Sequence, residues 1–181
     1  MRRRRSIADK ERIQYRSANR MSPGMAVDIG FFALLCLLSG VLAWIDIRHG
    51  IIPDWLNATI AGFGLSKAMI AGGAIAGLDA AGDGAAIGVA FWLLRRLYFA
   101  FRKIQGLGLG DVKFLAAAGI WVGVMGLPML VMTAALTALA CAGAMQLARH
   151  QLTAQTSMSF GPFLAIGLLL TLSLQQYWSC C

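Results

Sequence analysis

Long apolar blocks dominate the chain, and each is close to the length that crosses a bilayer. A transmembrane helix needs about 20 predominantly apolar residues to traverse a hydrocarbon core of ~30 Å. Blocks of this kind follow one another at 26–45, 55–77, 83–100, 111–125, 127–148 and 160–178. A β-barrel would show segments of ~10 residues alternating in polarity, and the sequence shows none. With 59% of its 181 residues hydrophobic and 13% charged, the chain has too little polar surface for a water-soluble domain. The expected fold is therefore an all-α membrane protein, a polytopic bundle of about six transmembrane helices spanning 26–178 after a basic tail, 1–25. Many of the 21 glycines lie inside the blocks, where small residues let helices approach closely in lipid.

The formal charge of +8 is unevenly spread. Arg2, Arg3, Arg4, Arg5, Lys10, Arg12, Arg16 and Arg20 share the tail with Asp9 and Glu11. Such a run suits a solvated segment near anionic lipid headgroups, and no nucleic-acid-binding module accompanies it. The loop after the first block carries Asp46, Arg48, His49 and Asp54. Alternation of spans puts it on the same side as Arg102, Lys103 and Asp111, and as Arg149 and His150. Basic loops mark the cytoplasmic face, so this side is expected to be cytoplasmic. The same alternation puts the basic tail outside. A start at Met21 or Met25, or a tail that folds back or crosses despite its charge, would remove that conflict. Cys36, Cys141, Cys180 and Cys181 form no CxxC pair, and neither histidine has a partner at ligand spacing, so no metal is expected.

Three of the eight acidic residues, Asp46, Asp54 and Asp111, fall on one expected face. Asp28, Asp79 and Asp83 read as solvated residues near the opposite ends of spans. Asp46 closes the run "LLSGVLAWID", and Asp111 opens an apolar block after "GLGLG". An ionisable group at the edge of hydrocarbon is costly, so it faces a bundle interior or a wet cavity and usually has a task. Two carboxyl groups within hydrogen-bonding range share a proton. One can then activate a water while the other protonates a carbonyl or leaving amine. The plainer alternative makes both acids helix-end residues. It fits Asp111, at a helix N-terminus, better than Asp46, at a C-terminus where an acid is disfavoured.

Three stretches, "IDIRHGIIPDWLN" (45–57), "GLGLGDVKFLAAAGIWVG" (106–123) and "SFGPFLAIG" (159–167), resemble the type IV prepilin peptidases, GxGD-type intramembrane aspartic proteases. The family's first aspartate falls on Asp46, followed by Ile52, Pro53 and Asp54. Its GxGD motif is Gly108, Leu109, Gly110 and Asp111, with Lys113 after it. Its Pro-Phe-Gly-Pro element matches at Phe160, Gly161 and Pro162, with Ser159 in place of the first proline. The resemblance implies an aspartic endopeptidase of the bacterial inner membrane that removes the leader of prepilins or pseudopilins at the cytoplasmic face. It implies Asp46 and Asp111 as the catalytic pair. Gly108, Gly110, Lys113, Pro53, Asp54, Gly161 and Pro162 would bind substrate or support the acids. Larger relatives carry two CxxC pairs in a region that methylates the new N-terminus. This sequence has neither, so cleavage without methylation, S-adenosylmethionine or any other cofactor is expected.

Two other readings compete. A proton- or ion-coupled transporter would use Asp46, Lys67 and Asp111 as intramembrane sites and would show repeats with broken helices. A noncatalytic scaffold of a pilus or secretion machine would use its aspartates only as caps. Lys113 reads as a residue reaching for the interface, and Trp44, Trp55, Trp121 and Trp178 as interfacial anchors, while Trp92 packs inside a span.

Overall fold

In a computed structural model of the chain, the described residues are 23–102, 108–147 and 160–180. Most of the basic tail, Lys103, the loop with Arg149 and His150, Ser159 and Cys181 lie outside them. The chain groups into two compact units, Met1–Leu34 and Leu35–Cys181. The described part of the first is helical, and the second holds every acidic residue from Asp46 onward.

Among the described residues four helices follow in order: α1 (Pro23–His49), α2 (Asp54–Arg102), α3 (Leu109–Leu147) and α4 (Gly161–Cys180). Among the described residues, Val27–His49, Asp54–Phe101 and Leu109–Ala144 are long and apolar enough to cross a membrane. The described residues are therefore all-helical with apolar helices of spanning length, as expected.

Neither α2 nor α3 is one straight rod. In α2 the helical backbone breaks at Gly72 (φ −139°, ψ 15°) and Gly73 (φ 73°, ψ −164°). The Ile120 side chain lies against both Gly64 and Gly84. On a straight helix those glycines would be about 30 Å apart, so α2 doubles back into two arms, 54–71 and 74–102. The turn comes earlier than the 78–82 loop suggested by the sequence. Asp79 and Asp83 lie on the second arm, because alanine and leucine carry the helix through "AGLDAAGDG" while Gly73 adopts a backbone few other residues can.

A second break stands at Gly123 in α3 (φ 70°, ψ 171°). The contacts of α4 fix what it does. Gly161 meets Asp46, Gly167 packs on Leu130 and Ala134, and Gln175 Nε2 donates to the Val122 carbonyl at 3.2 Å. Asp46 in turn acts on Asp111. Residues 109–122 therefore run alongside α4, and 124–147 return antiparallel to it. Pro128 sits inside the returning arm, five residues past the break, where it removes one intrahelical hydrogen bond to the arm's first turn.

The arm 109–122 is the innermost element. Val112, Phe114, Leu115, Ala117, Ala118 and Val122 are all buried, against α2 on one side and α4 on the other. At 1.5 Å per residue the arm is about 21 Å long, shorter than a ~30 Å hydrocarbon core. Its broken end is not left bare: the Val122 carbonyl receives Gln175, and the Asp83 carboxylate lies beside Gly123. Asp83 is therefore a partly buried neighbour of a helix break, whereas Asp79 is exposed.

Candidate active site

Asp46 lies in the last turn of α1, whose end is closed by Gly50 (φ 63°) donating its N–H to the Asp46 carbonyl at 2.8 Å. It shares a face with Leu35, Ser39 and Leu42, at helical spacing, and all four are buried. Asp46 is the most deeply buried of the described carboxylates, at 5% exposure. The sequence left open how a helix C-terminus could tolerate this acid. The answer comes from 115 residues further on, where the Gly161 backbone N–H donates to Asp46 Oδ2 at 2.9 Å.

The local sequence explains why α4 can do this. The Phe160 carbonyl accepts the N–H groups of Phe163 and Leu164, so Phe160 caps the helix. Gly161 is then the first helical residue, and its N–H is one of those no helix can satisfy internally. Pro162, with no N–H to lose, fits the first turn. Any side chain at Gly161 would collide with the Asp46 carboxylate. Glycine there lets the positive end of the α4 dipole reach an acid that the negative end of α1 disfavours.

Asp111 is half-buried in the first turn of α3. Gly108 caps that helix, its carbonyl accepting the Val112 N–H at 3.3 Å. The Asp111 carboxylate folds back to a hydrogen bond with the Gly108 backbone. This is the third-residue half of a capping box, so Asp111 is tied to its own helix start rather than free to swing. Gly110 faces Ile52, with no room for a branched side chain, since a Cβ there would lie 3.0 Å from the Ile52 Cβ.

The two acids, 65 positions apart in the chain, are near enough for Asp46 to act electrostatically on Asp111. Around them stand the other motif residues. Pro53 caps α2, accepting the N–H groups of Leu56 and Asn57, and so positions Asp54. Asp54 Oδ2 receives Lys113 Nζ at 2.6 Å. That pairing gives Lys113 a partner instead of a solitary reach to the interface, and it ties the start of α2 to the start of α3. Gly108, Gly110, Asp111, Lys113, Pro53, Asp54, Gly161, Pro162 and Asp46 thus converge at one end of the bundle.

Lys67 does not join them. It lies 13 residues beyond Asp54, about 20 Å along the arm, with Nζ 5.8 Å from the centre of the Trp121 ring. Trp121 donates to the Ile60 carbonyl at 3.0 Å, so it packs inside, unlike exposed Trp44, Trp55 and Trp178. Trp92, expected inside, is 46% exposed. Among the described residues no group of three His, Cys, Asp or Glu side chains could hold a metal. Sequence reasoning passed over Asn57, which is buried with both amide atoms unpartnered within the protein. Its position one turn after the Pro-Asp pair was the available signal.

Residues 33–143 match the model of the type IV leader peptidase family. The chain belongs to this family. Curated relatives include the prepilin leader peptidase/N-methyltransferase of Pectobacterium carotovorum subsp. carotovorum, 40% identical over 149 residues covering 80% of this chain and 50% of the relative. The protein of the same name from Burkholderia pseudomallei is 37% identical over 134 residues, 74% of this chain and 42% of its own. Leader peptidase HopD of Escherichia coli is 35% identical over 149 residues, 78% of this chain and 90% of its own. The chain thus spans about half the length of most of the curated relatives it matches. No solved structure matches it. Within the leader peptidase family, the matched span includes both halves of the acid pair and the Asp54–Lys113 bridge.

Proposed function

We propose that this protein is an intramembrane aspartic endopeptidase that removes the leader peptide of type IV prepilins or pseudopilins at the cytoplasmic face of a bacterial inner membrane. Asp46 and Asp111 are its catalytic pair, one carboxyl group activating the attacking water and the other protonating the departing amine. The observation that carries this reading is the convergence of the two acids, each held by a backbone N–H at a helix start, Gly161 for Asp46 and Gly108 for Asp111. Gly108 and Gly110 let Asp111 and Ile52 pack close to the backbone, and Pro53, Asp54, Lys113, Gly161 and Pro162 hold the frame.

Cleavage proceeds without N-methylation in this reading. HopD, named a leader peptidase alone, is covered by the chain over 90% of its length. After the tail, 1–25, the domain 26–178 crosses the membrane as six helical arms alternating in direction: α1, the two arms of α2, the two arms of α3, and α4. The short arm 109–122 turns at Gly123, where Asp83 and Gln175 meet the interrupted backbone. Irregular backbone at membrane depth needs partners from the protein, and Gln175 gives one to the Val122 carbonyl. The separation of Lys67 from the acid pair counts against a transporter built on Asp46, Lys67 and Asp111.

The test is co-expression with a prepilin and scoring of leader removal by gel mobility. Asp46→Asn and Asp111→Asn should each lower turnover by about 10²–10⁴-fold or more, because an amide keeps the shape but cannot pass the proton. Cleavage at the unaltered rate in either variant would remove that residue from the mechanism.

A further inference from the structure

The distal part of α2 carries a basic and aromatic face that the acid pair does not use. Trp92, Arg95, Arg96, Phe99 and Ala100 line an open cavity of about 540 Å³. Their spacing of i, i+3, i+4, i+7 and i+8 puts them on one side of the helix. The Arg96 guanidinium lies over the Trp92 ring, 5.4 Å from its centre. Around it the arm is open and apolar, with Leu93, Leu94, Leu97, Tyr98 and Phe101 all about half exposed or more.

Charge decides what can fill this groove. Between Gly84 and Gly110 the sequence carries Arg95, Arg96, Arg102 and Lys103 and no acidic residue. Arg96 lies six residues before the end of α2, about 9 Å along the axis. An arginine at that depth beside lipid keeps its stem among acyl chains and brings its head to the phosphate layer. Guanidinium groups bind phosphate through two parallel N–H donors, and Trp and Tyr rings favour the same interfacial depth. The end of α2 leads to Gly108 and Asp111, so the groove opens at the end of the bundle that holds the acids.

We propose that this groove binds the headgroup of an anionic phospholipid. Arg95 and Arg96 contact its phosphate, Trp92 and Phe99 flank its glycerol and upper acyl chains, and basic patches at a cytoplasmic leaflet select anionic over zwitterionic lipid. This goes beyond peptide cleavage and rests on the proposed reading only for the cytoplasmic side of the groove.

The experiment uses the full chain purified in mild detergent. Native mass spectrometry would count lipids retained from phosphatidylglycerol and, separately, from phosphatidylcholine. The unaltered chain should retain phosphatidylglycerol in preference, and the double variant Arg95→Gln/Arg96→Gln should lose that preference by about tenfold, with leader cleavage in detergent unchanged. A photoreactive phosphatidylglycerol should crosslink the unaltered chain within residues 92–100, which keeps the proposal testable should the double variant not fold. Equal retention of both lipids, undiminished preference in the variant, or crosslinks confined elsewhere would each overturn it. So would displacement of the lipid by millimolar inorganic phosphate alone, which would make the ligand a free anion.

Discussion

The Gly161 hydrogen bond helps make Asp46 tolerable where it stands, and glycine is the residue that admits it. Gly161→Ala would force a Cβ into the Asp46 carboxylate and pull its N–H away. A hydrogen bond to a charged group contributes about 1.5–3 kcal/mol. Leader cleavage should therefore fall at least tenfold while helix content, read by circular dichroism, stays unchanged. At Gly110 the neighbour is Ile52 rather than an acid. Gly110→Val should impair cleavage, and Ile52→Ala should recover part of it in the double variant, since the two residues touch and their effects cannot simply add. The Asp54–Lys113 pair behaves differently, because its side chains are 71% and 43% exposed. Breaking it with Lys113→Ala should cost only about 0–1 kcal/mol in thermal unfolding. These roles were unequally visible beforehand. The GxGD spacing marked Asp111 at once, because its cap and its helix are local. The partner of Asp46 lies in α4, and no local rule reaches that far.

At the scale of elements, two glycines turn two long helices into hairpins. Gly73 and Gly123 both combine a positive φ with ψ near 180°, a region essentially closed to residues with a Cβ. Gly73→Ala and Gly123→Ala should each destabilise the fold by about 1–3 kcal/mol, measured as a lowered unfolding midpoint in detergent. Gly123→Ala should be the worse, because its Cβ would also press on Asp83 Oδ2 at 3.1 Å, whereas Gly73 has open space around it. The sequence made the apolar blocks legible and so the all-helical class. It misplaced the turns by several residues. "LDAAGDG" and "GLP" carry the ordinary loop signals, yet α2 and α3 break at glycines set among alanine, valine and methionine. In lipid-facing segments polarity no longer marks a turn, and the decisive property is a backbone conformation that composition does not display.

For the whole molecule, the proposed function needs Asp46 and Asp111 at one end, which follows only if the arms alternate in direction. The two reversals supply that alternation, and they put the hairpin tip of α2 at the far end from the acids. The arm 54–71 is about 27 Å long, enough to carry the tip across most of a bilayer. Single cysteines test this directly. In a background with Cys36, Cys141, Cys180 and Cys181 replaced, Ile51→Cys would stand beside the acid pair and Ala74→Cys at the tip, both at exposed positions. A membrane-impermeant maleimide applied to intact cells should label Ala74→Cys and spare Ile51→Cys, and Ile51→Cys should react once the membrane is opened. Labelling of both from one side would mean that the α2 arms do not cross. The acids could then still meet, but not at the inner edge of a bilayer, where the leader of the proposed substrate would emerge. Labelling in the reverse sense would keep the hairpin and turn the active end outward. The location of the acid pair relative to the membrane thus rests on Gly73 as much as on the carboxylates themselves.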